Sequence, residues 1–146
     1  MTKVLYTAEA RVTGGRANGH GRTADGQLDV RIRMPKELGG DGDGTNPEQL
    51  FAVGYAACFE AALALVGQRT GLVADDTTID AKVMLLPIGQ GRLKLAIELA
   101  VTLPSVPDAE QAADLVRTAH QVCPYSNATR GNVDVTLVVN GAPLAH

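Results

Sequence analysis

The fold of this chain depends most on one apolar stretch, LFAVGYAACFEAALALV at residues 50–66. Apolar side chains occupy nearly all faces of the helix that it predicts, and helices of that kind are buried at the centre of a fold. Just before it, Thr45 and Glu48 have the spacing of a capping box. Alternatively, Asn46 caps the helix and Pro47 takes its first position.

Strand patterns surround this helix on both sides. Because the predicted strands cluster instead of alternating strictly with helices, we expect the α+β class with mostly antiparallel sheets around a buried central helix. A chain of 146 residues fits a single domain, residues 1–146. The predicted elements are strands at 4–12, 21–24 and 28–33, the central helix, strands at 77–86 and 93–103, a second helix opening at 107–110, and a strand at 133–139.

Composition and charge exclude several classes of protein. A net charge of −3 gives no electrostatic footprint for nucleic acid, and aromatic residues make up only 3% of the chain. The start of the chain has no secretory signal pattern, and the 17-residue apolar stretch is marginal for a membrane span. We therefore expect a cytoplasmic protein with neither nucleic acid nor membrane as a partner. In the cytoplasm a disulfide is usually transient and catalytic.

Cys58 and Cys123 are the only cysteines, and they are 65 residues apart. A pair of cysteines can divide a redox reaction, because one becomes a sulfenic acid and the other condenses with it to a disulfide. The alternative is that Cys58 is an inert core residue, as free cysteines in apolar helices often are.

A reactive Cys58 needs a nearby cation, because burial disfavours the thiolate that reacts with oxidants. Arg16, flanked by glycines, is the candidate, and Glu48 could hold it in a bidentate pair. However, Glu48 and Cys58 are ten residues apart, or roughly 15 Å along an unbroken helix. Either the helix breaks near Gly54, which would put Cys58 at a new helix start, or a second subunit supplies part of the site.

Four segments of the chain carry recognisable motifs: GGR at 14–16, TNPEQLF at 45–51, GYAACF at 54–59 and CPYSNATRGN at 123–132. Together they resemble the organic hydroperoxide resistance (Ohr) branch of the OsmC/Ohr family. The resemblance runs from about residue 5 to residue 139, and the last of the four segments is the one typical of this branch. It implies an OsmC-like α+β fold and an intertwined homodimer with two sites at the subunit interface.

The same resemblance implies a thiol peroxidase that reduces alkyl and fatty-acid hydroperoxides to alcohols without a bound cofactor. By the matched motifs, Cys58 is the peroxidatic cysteine and Cys123 the resolving cysteine, and the two form a Cys58–Cys123 disulfide. Arg16 would activate the Cys58 thiolate, and Glu48 would hold Arg16. A dithiol such as dihydrolipoamide, carried by a lipoylated protein, would recycle the disulfide.

The surroundings of Cys58 predict the substrate class. Phe51, Tyr55 and Phe59 would form an apolar pocket that favours alkyl hydroperoxides over hydrogen peroxide, and Tyr125 either lines this pocket or simply packs. We expect no metal, because the spacings of the histidines, His20, His120 and His146, match no compact zinc motif.

Three other functions remain open at this point. One is a peroxidase of the OsmC branch with a broader substrate range, although the segment at 123–127 argues against it. Another is a non-enzymatic binder of apolar ligands, in which Cys58→Ser would leave ligand binding intact. The third is a redox sensor that oxidises stoichiometrically, which catalytic turnover with a dithiol would exclude.

Overall fold

The computed structural model describes residues 2–15 and 17–145, and its main elements follow the order that the sequence predicts. This order confirms the α+β class. The strands are β1 (Ala10–Thr13), β2 (Gly19–Thr23), β3 (Asp29–Ile32), β4 (Thr78–Pro87), β5 (Leu93–Thr102), β6 (Asp134–Val139) and β7 (Ala142–Pro143). The helices are α1 (Pro47–Thr70), α2 (Ala109–Val122) and α3 (Pro124–Thr129), with a short 3₁₀ helix at Lys36–Leu38.

The chain divides into two units, residues 1–50 and 51–146. The first unit contains the antiparallel sheet β1-β2-β3. A turn at Asp25-Gly26 joins β2 to β3, with Gly26 at a φ of 75° and the Asp25 carboxylate accepting the amide of Gln27 at 3.0 Å. That the two units together make a single domain stays a prediction.

The prediction of a first strand from residue 4 is wrong for residues 4–9, because β1 begins at Ala10. The pairing with β2 runs from Ala10 to Thr13, and the last backbone hydrogen bond beyond it joins the amide of Ala24 to the carbonyl of Glu9. The side chains of Val4 and Leu5 are 73% and 91% exposed. Apolar composition alone does not make a strand where no neighbouring backbone is available to pair with it.

The second unit contains a four-stranded sheet in the order β4-β5-β6-β7. β4 and β5 form a ten-residue antiparallel pair, whereas β6 pairs with β5 in parallel. A parallel pair needs a long crossover, and here the crossover carries α2 and α3. β7 is not among the predicted strands, although Asn140-Gly141, with φ of 47° and 85°, is a strong signal for a tight hairpin.

The core of the second unit lies between one face of this sheet and the helices. The inner face of α2 carries apolar residues at helical spacing, and these residues are buried. α1 contributes a stripe that is also buried. The buried residues of the two helices are Tyr55, Phe59, Ala62, Leu63, Val66 and Gly67 on α1, and Ala112, Leu115, Val116 and Ala119 on α2.

The start of α1 distinguishes the two capping schemes. The Asn46 carboxamide oxygen accepts the amide of Gln49 at 2.8 Å, so Asn46 is the cap and Pro47 the first helical residue. The capping box is wrong, because the amide of Thr45 donates instead to the carbonyl of Arg31 at 2.8 Å.

α1 continues unbroken through Gly54 to Thr70. The interpretation that the helix breaks near Gly54 and restarts before Cys58 is therefore wrong. A glycine in the interior of a helix lowers its stability by about 1 kcal/mol, which neighbouring contacts readily offset.

The side of α1 opposite the core is apolar and exposed. Val53 and Leu65 are 71% and 40% exposed, and Ala57 and Ala61 between them are exposed as well. Within residues 2–15 and 17–145, α1 is the one helix long and apolar enough to cross a membrane. This is weak support for a membrane span, because central helices of water-soluble folds share this length and composition.

Candidate functional site

The two cysteines meet in the second unit. The Sγ atoms of Cys58 and Cys123 lie 3.4 Å apart, and neither is in a disulfide. A disulfide needs about 2.05 Å between its sulfurs, so a small approach would close one. Cys58 is half-buried and Cys123 is fully buried. The sequence predicted that both would take part in one site, and the fold places them in contact.

Cys123 occupies the junction between α2 and α3. Its amide donates to the carbonyl of Ala119 at 2.8 Å and closes α2, while its own carbonyl accepts the amide of Asn127 at 3.0 Å and opens α3. Pro124 is the first residue of α3, where its missing N–H has no consequence. α3 is not among the predicted helices, although a proline directly after a helix end signals a new helix start.

Opposing effects act on the Cys58 thiol. Burial raises the pKa of Cys58 above its ordinary value, because an apolar environment disfavours the thiolate. The backbone N–H of Tyr125 lowers the pKa of Cys58 by hydrogen bonding to its sulfur, and the adjacent Cys123 raises it again. The net direction is upward, so these neighbours alone do not produce a reactive thiolate at neutral pH.

The two predicted residues for thiolate activation belong to the other unit. Arg16 lies outside the described residues. Glu48 lies in the first turn of α1, within residues 1–50. The roles of Arg16 and Glu48 at Cys58 therefore stay predictions.

The four predicted pocket residues cluster, but they differ in exposure. The ring centroids of Phe51 and Tyr125 are 5.9 Å apart, and those of Tyr55 and Tyr125 are 5.6 Å apart. Tyr55 and Phe59 are completely buried, whereas Phe51 is half-buried and Tyr125 is 38% exposed. Of the four, therefore, Phe51 and Tyr125 are the two whose side chains keep exposed surface. That all four line a substrate pocket stays a prediction.

Gly54 leaves room for the ring of Tyr125. A Cβ atom at position 54 would lie 2.7 Å from Tyr125 Oη, which is closer than real side chains approach. The absence of a side chain at Gly54 therefore allows Tyr125 to rest against α1, one helical turn from Cys58. This close approach explains a glycine in the middle of a long helix.

A buried cluster of polar side chains, which the sequence did not predict, adjoins the cysteines. Tyr55 Oη lies 2.8 Å from Ser126 Oγ and 3.2 Å from Thr129 Oγ1. Ser126 Oγ in turn lies 2.8 Å from Nδ1 of His120. Ser126 and Thr129 are buried, and their hydroxyls are hydrogen-bonded as buried polar groups require. The three hydroxyl residues, Tyr55, Ser126 and Thr129, are spread over 75 positions, and no pattern in the sequence indicates that they are in contact.

The arrangement can form a reversible disulfide between two thiols that already touch. Among the described residues, no group of three or more histidine, cysteine or acidic side chains could hold a metal ion. His146, considered above with the other histidines, lies outside those residues.

Comparisons with known proteins agree on one family. The model of the OsmC-like protein family matches residues 40–138. The chain is 51% identical over 141 residues to the organic hydroperoxide resistance protein of Xanthomonas axonopodis pv. citri (strain 306), covering 94% of this chain and 96% of that relative. It is 46% identical to the organic hydroperoxide resistance protein OhrB of Bacillus subtilis (strain 168), with 91% and 96% covered.

The structural comparison gives the same family. The crystal structure of an organic hydroperoxide resistance protein from Legionella pneumophila superposes with a TM-score of 0.89 at 47% identity. The match covers 94% of this chain and 98% of that one.

The contact between Gly54 and Tyr125 predicts a coupling that unfolding in urea can measure. Replacing a helical glycine by alanine ordinarily stabilises a protein by about 1 kcal/mol. We expect Gly54→Ala to lose this gain, because its Cβ forces Tyr125 to move. In a Tyr125→Phe background the nearest ring atom is 3.2 Å away, so part of the gain should return. A double-mutant cycle should give a coupling of about 0.5 kcal/mol or more, and strict additivity would contradict the close approach.

Proposed function

Because this chain belongs to the organic hydroperoxide resistance branch of the OsmC/Ohr family, we propose that it is a thiol-dependent peroxidase that reduces alkyl and fatty-acid hydroperoxides to alcohols. The observation that carries this proposal is the 3.4 Å contact between the sulfurs of Cys58 and Cys123. Two thiols in contact are what a reaction through a sulfenic acid and a disulfide requires.

The proposed reaction has two steps on the protein. The Cys58 thiolate attacks the distal oxygen of the hydroperoxide, the O–O bond breaks, and the alkoxide takes a proton and leaves as an alcohol. Cys58 is then a sulfenic acid. Cys123 attacks the Cys58 sulfur, the S–O bond breaks, and water leaves with the proton of the Cys123 thiol. The peroxide has gained two electrons, and the cysteines have lost two.

Recycling requires an external dithiol. One thiolate of the dithiol attacks the Cys58–Cys123 disulfide to give a mixed disulfide, and the second thiol of the same molecule displaces the protein. We propose the dihydrolipoyl group of a lipoylated protein as this reductant. No metal, haem or flavin takes part in the scheme, and the cytoplasm is its proposed compartment.

Thiolate formation at Cys58 requires a positive charge that its immediate neighbours do not supply. Burial raises the pKa of Cys58, and the backbone N–H of Tyr125 offsets only part of that rise. We propose that the Arg16 guanidinium supplies the missing positive charge, and that Glu48 holds Arg16 in position. A cation within about 4–6 Å lowers the pKa of a thiol by favouring its charged form.

The apolar side chains near Cys58 support organic hydroperoxides as the substrate class. Phe51 and Tyr125 present apolar surface, and Tyr55 and Phe59 form the buried wall behind them. An alkyl chain gains free energy by leaving water for such a surface, at about 25 cal/mol for each Å² that is buried. Hydrogen peroxide has no apolar group with which to make this gain.

A homodimer would cover the exposed side of α1. We name the apolar row formed by Val53, Ala57, Ala61 and Leu65 the outer stripe; its members are four residues apart and therefore lie on one face. Small and apolar side chains in such a row allow two helices to pack closely. The proposed dimer pairs this stripe with the same stripe of a second copy, which is how two-fold symmetric interfaces form.

Peroxide consumption is the direct test of the proposed activity. The reduced protein is mixed with cumene hydroperoxide or with hydrogen peroxide, under excess dihydrolipoamide and separately under dithiothreitol. We expect multiple turnovers, faster on the organic peroxide and with dihydrolipoamide, and a mass loss of two hydrogens when the reductant is withheld. Unchanged mass without turnover would support the ligand-binding alternative. Oxidation that stops after one equivalent despite the dithiol would indicate a redox sensor.

Cysteine variants assign the two roles within that assay. Cys58→Ser should consume no peroxide, because the attacking thiol is gone and the remaining one, on Cys123, is fully buried. With the reductant withheld, Cys123→Ser should consume one equivalent to reach the Cys58 sulfenic acid and a second if it over-oxidises to the sulfinic acid, and it should form no disulfide because its resolving thiol is absent. Continued turnover by Cys58→Ser would refute the assignment.

The role of Arg16 is tested through the pH dependence of Cys58. In a Cys123→Ser background, the rate of iodoacetamide alkylation is followed against pH. Because the pKa of Cys58 rises when its cation is removed, Arg16→Ala should move the midpoint up by about 1 pH unit or more. At pH values well below both midpoints that lowers the thiolate fraction about tenfold. Arg11→Ala, at an exposed arginine of β1, is the matched control. An unchanged midpoint would remove Arg16 from the site.

The outer stripe predicts which surface substitution separates the subunits. Val53→Glu puts a charge into the proposed interface, where it would be buried without a partner, so the sedimentation coefficient should fall to that of a monomer. Gln111→Glu adds the same charge at an exposed position of α2 and should leave the dimer intact. A wild-type chain that sediments as a monomer, or a Val53→Glu variant that stays dimeric, would contradict the proposed interface.

A further inference from the structure

We infer that Tyr55, Ser126 and His120 form a positioning network that holds α3 against α1 so that Cys123 closes on the Cys58 sulfenic acid before a second peroxide reaches it. This inference rests on the proposed peroxidase function and adds residues to which the two-cysteine scheme gives no role. None of the three touches the reacting oxygen atoms in this proposal. They act through the placement of Cys123.

The spacing of the residues supports the network. Tyr55 precedes Cys58 by three positions on α1, and Ser126 follows Cys123 by three positions along α3. Residues three apart in a helix lie on one face, about one turn from each other. The Tyr55–Ser126 hydrogen bond, at 2.8 Å, and the sulfur–sulfur contact, at 3.4 Å, are therefore successive links between the same two segments.

α3 needs such a link because it is short. It has six residues, and isolated helices shorter than about 12 are marginal in water. Cys123, at its N-cap, makes no side-chain capping hydrogen bond. The Tyr55 hydroxyl oxygen is hydrogen-bonded to two residues of α3, Ser126 and Thr129. His120 then connects Ser126 to α2, so the cluster joins three helices.

Burial makes the network rigid. Tyr55 and Ser126 have no exposed surface, so water is not available to replace a hydrogen bond that is lost. Ser126 Oγ is the junction, with Tyr55 Oη on one side and His120 Nδ1 on the other, each at 2.8 Å. Hydroxyls that are held in a low-dielectric interior and satisfied on both sides keep one geometry.

The closing step is sensitive to this placement. When Cys123 attacks, the S–O bond of the Cys58 sulfenic acid breaks, the S–S bond forms, and the hydroxyl leaves as water with the proton of Cys123. A second hydroperoxide competes by oxidising the sulfenic acid to a sulfinic acid and releasing another alcohol. The ratio of sulfinic acid to disulfide therefore measures how fast Cys123 reaches Cys58.

The experiment compares Tyr55→Phe and Ser126→Ala with the wild-type protein. Tyr55→Phe removes one oxygen and keeps the ring contacts with Phe51, Phe59 and Tyr125. The reduced proteins are treated with increasing cumene hydroperoxide, with or without the sulfenic-acid reagent dimedone, and intact masses are read. The matched control is Ser105→Ala, which removes an exposed serine hydroxyl bonded to Asp76.

We expect both variants to give about tenfold more sulfinic acid and dimedone adduct relative to disulfide, because misplacement of a reacting group by about 1 Å can cost up to a hundredfold in rate. The first oxidation of Cys58 should change less than the closing step. A purely structural role would lower the melting temperature without changing this partition at a temperature where the variants are folded. A wild-type partition in both variants would overturn the inference.

A second measurement separates failure of this inference from failure of the proposed function. Each protein is equilibrated in buffers of reduced and oxidised glutathione, which require no peroxide chemistry. The variants should need a severalfold more oxidising ratio to form the Cys58–Cys123 disulfide, because their thiols meet less often. If the wild type forms this disulfide with glutathione but not with peroxide, the proposed function fails. The glutathione midpoints of the variants and the wild type then still test whether the network positions Cys123. Equal glutathione midpoints would overturn it.

Discussion

The contact between the sulfurs of Cys58 and Cys123 is the constraint on which the rest of the site depends. It requires the inner face of α1 to meet the junction of α2 and α3 within the second unit. The parallel pairing of β5 and β6 fixes the length and position of that crossover. The junction at Cys123 then follows from local chemistry, because Pro124 cannot continue α2 but is well suited to begin α3.

The same burial that brings the thiols together opposes their reactivity. Apolar packing around Cys58 raises the pKa of its thiol, and one hydrogen bond from the backbone N–H of Tyr125 offsets part of this rise. The proposed chemistry therefore has two requirements, which are contact between the thiols and a positive charge that favours the thiolate. The second unit supplies proximity and an apolar environment, and the proposed reaction takes its positive charge from Arg16, in the first fifty residues.

Polar and aromatic groups share the space behind the cysteines. Tyr55 contributes its ring to the aromatic cluster with Phe51 and Tyr125, and its hydroxyl to the buried cluster with Ser126. A phenol can do both because its body is apolar and its oxygen can reach a partner. Gly54 complements this arrangement, since the absence of a Cβ admits Tyr125 beside α1. Packing and hydrogen bonding thus act on the same short segment, α3, from two sides.

The sequence by itself determined the α+β class, the long helix at residues 50–66 and the pair of cysteines, because hydrophobic periodicity, caps and motifs are local properties of the chain. It also determined the family, through motifs whose residues match position by position. Only the tertiary structure decided that Asn46 caps α1, that α1 runs unbroken past Gly54, and that residues 4–9 form no strand. The hydrogen-bonded cluster of Tyr55, Ser126 and His120 is likewise a feature that only the tertiary structure decided. Such contacts join residues far apart in sequence, and local sequence patterns do not predict which distant residue a side chain contacts.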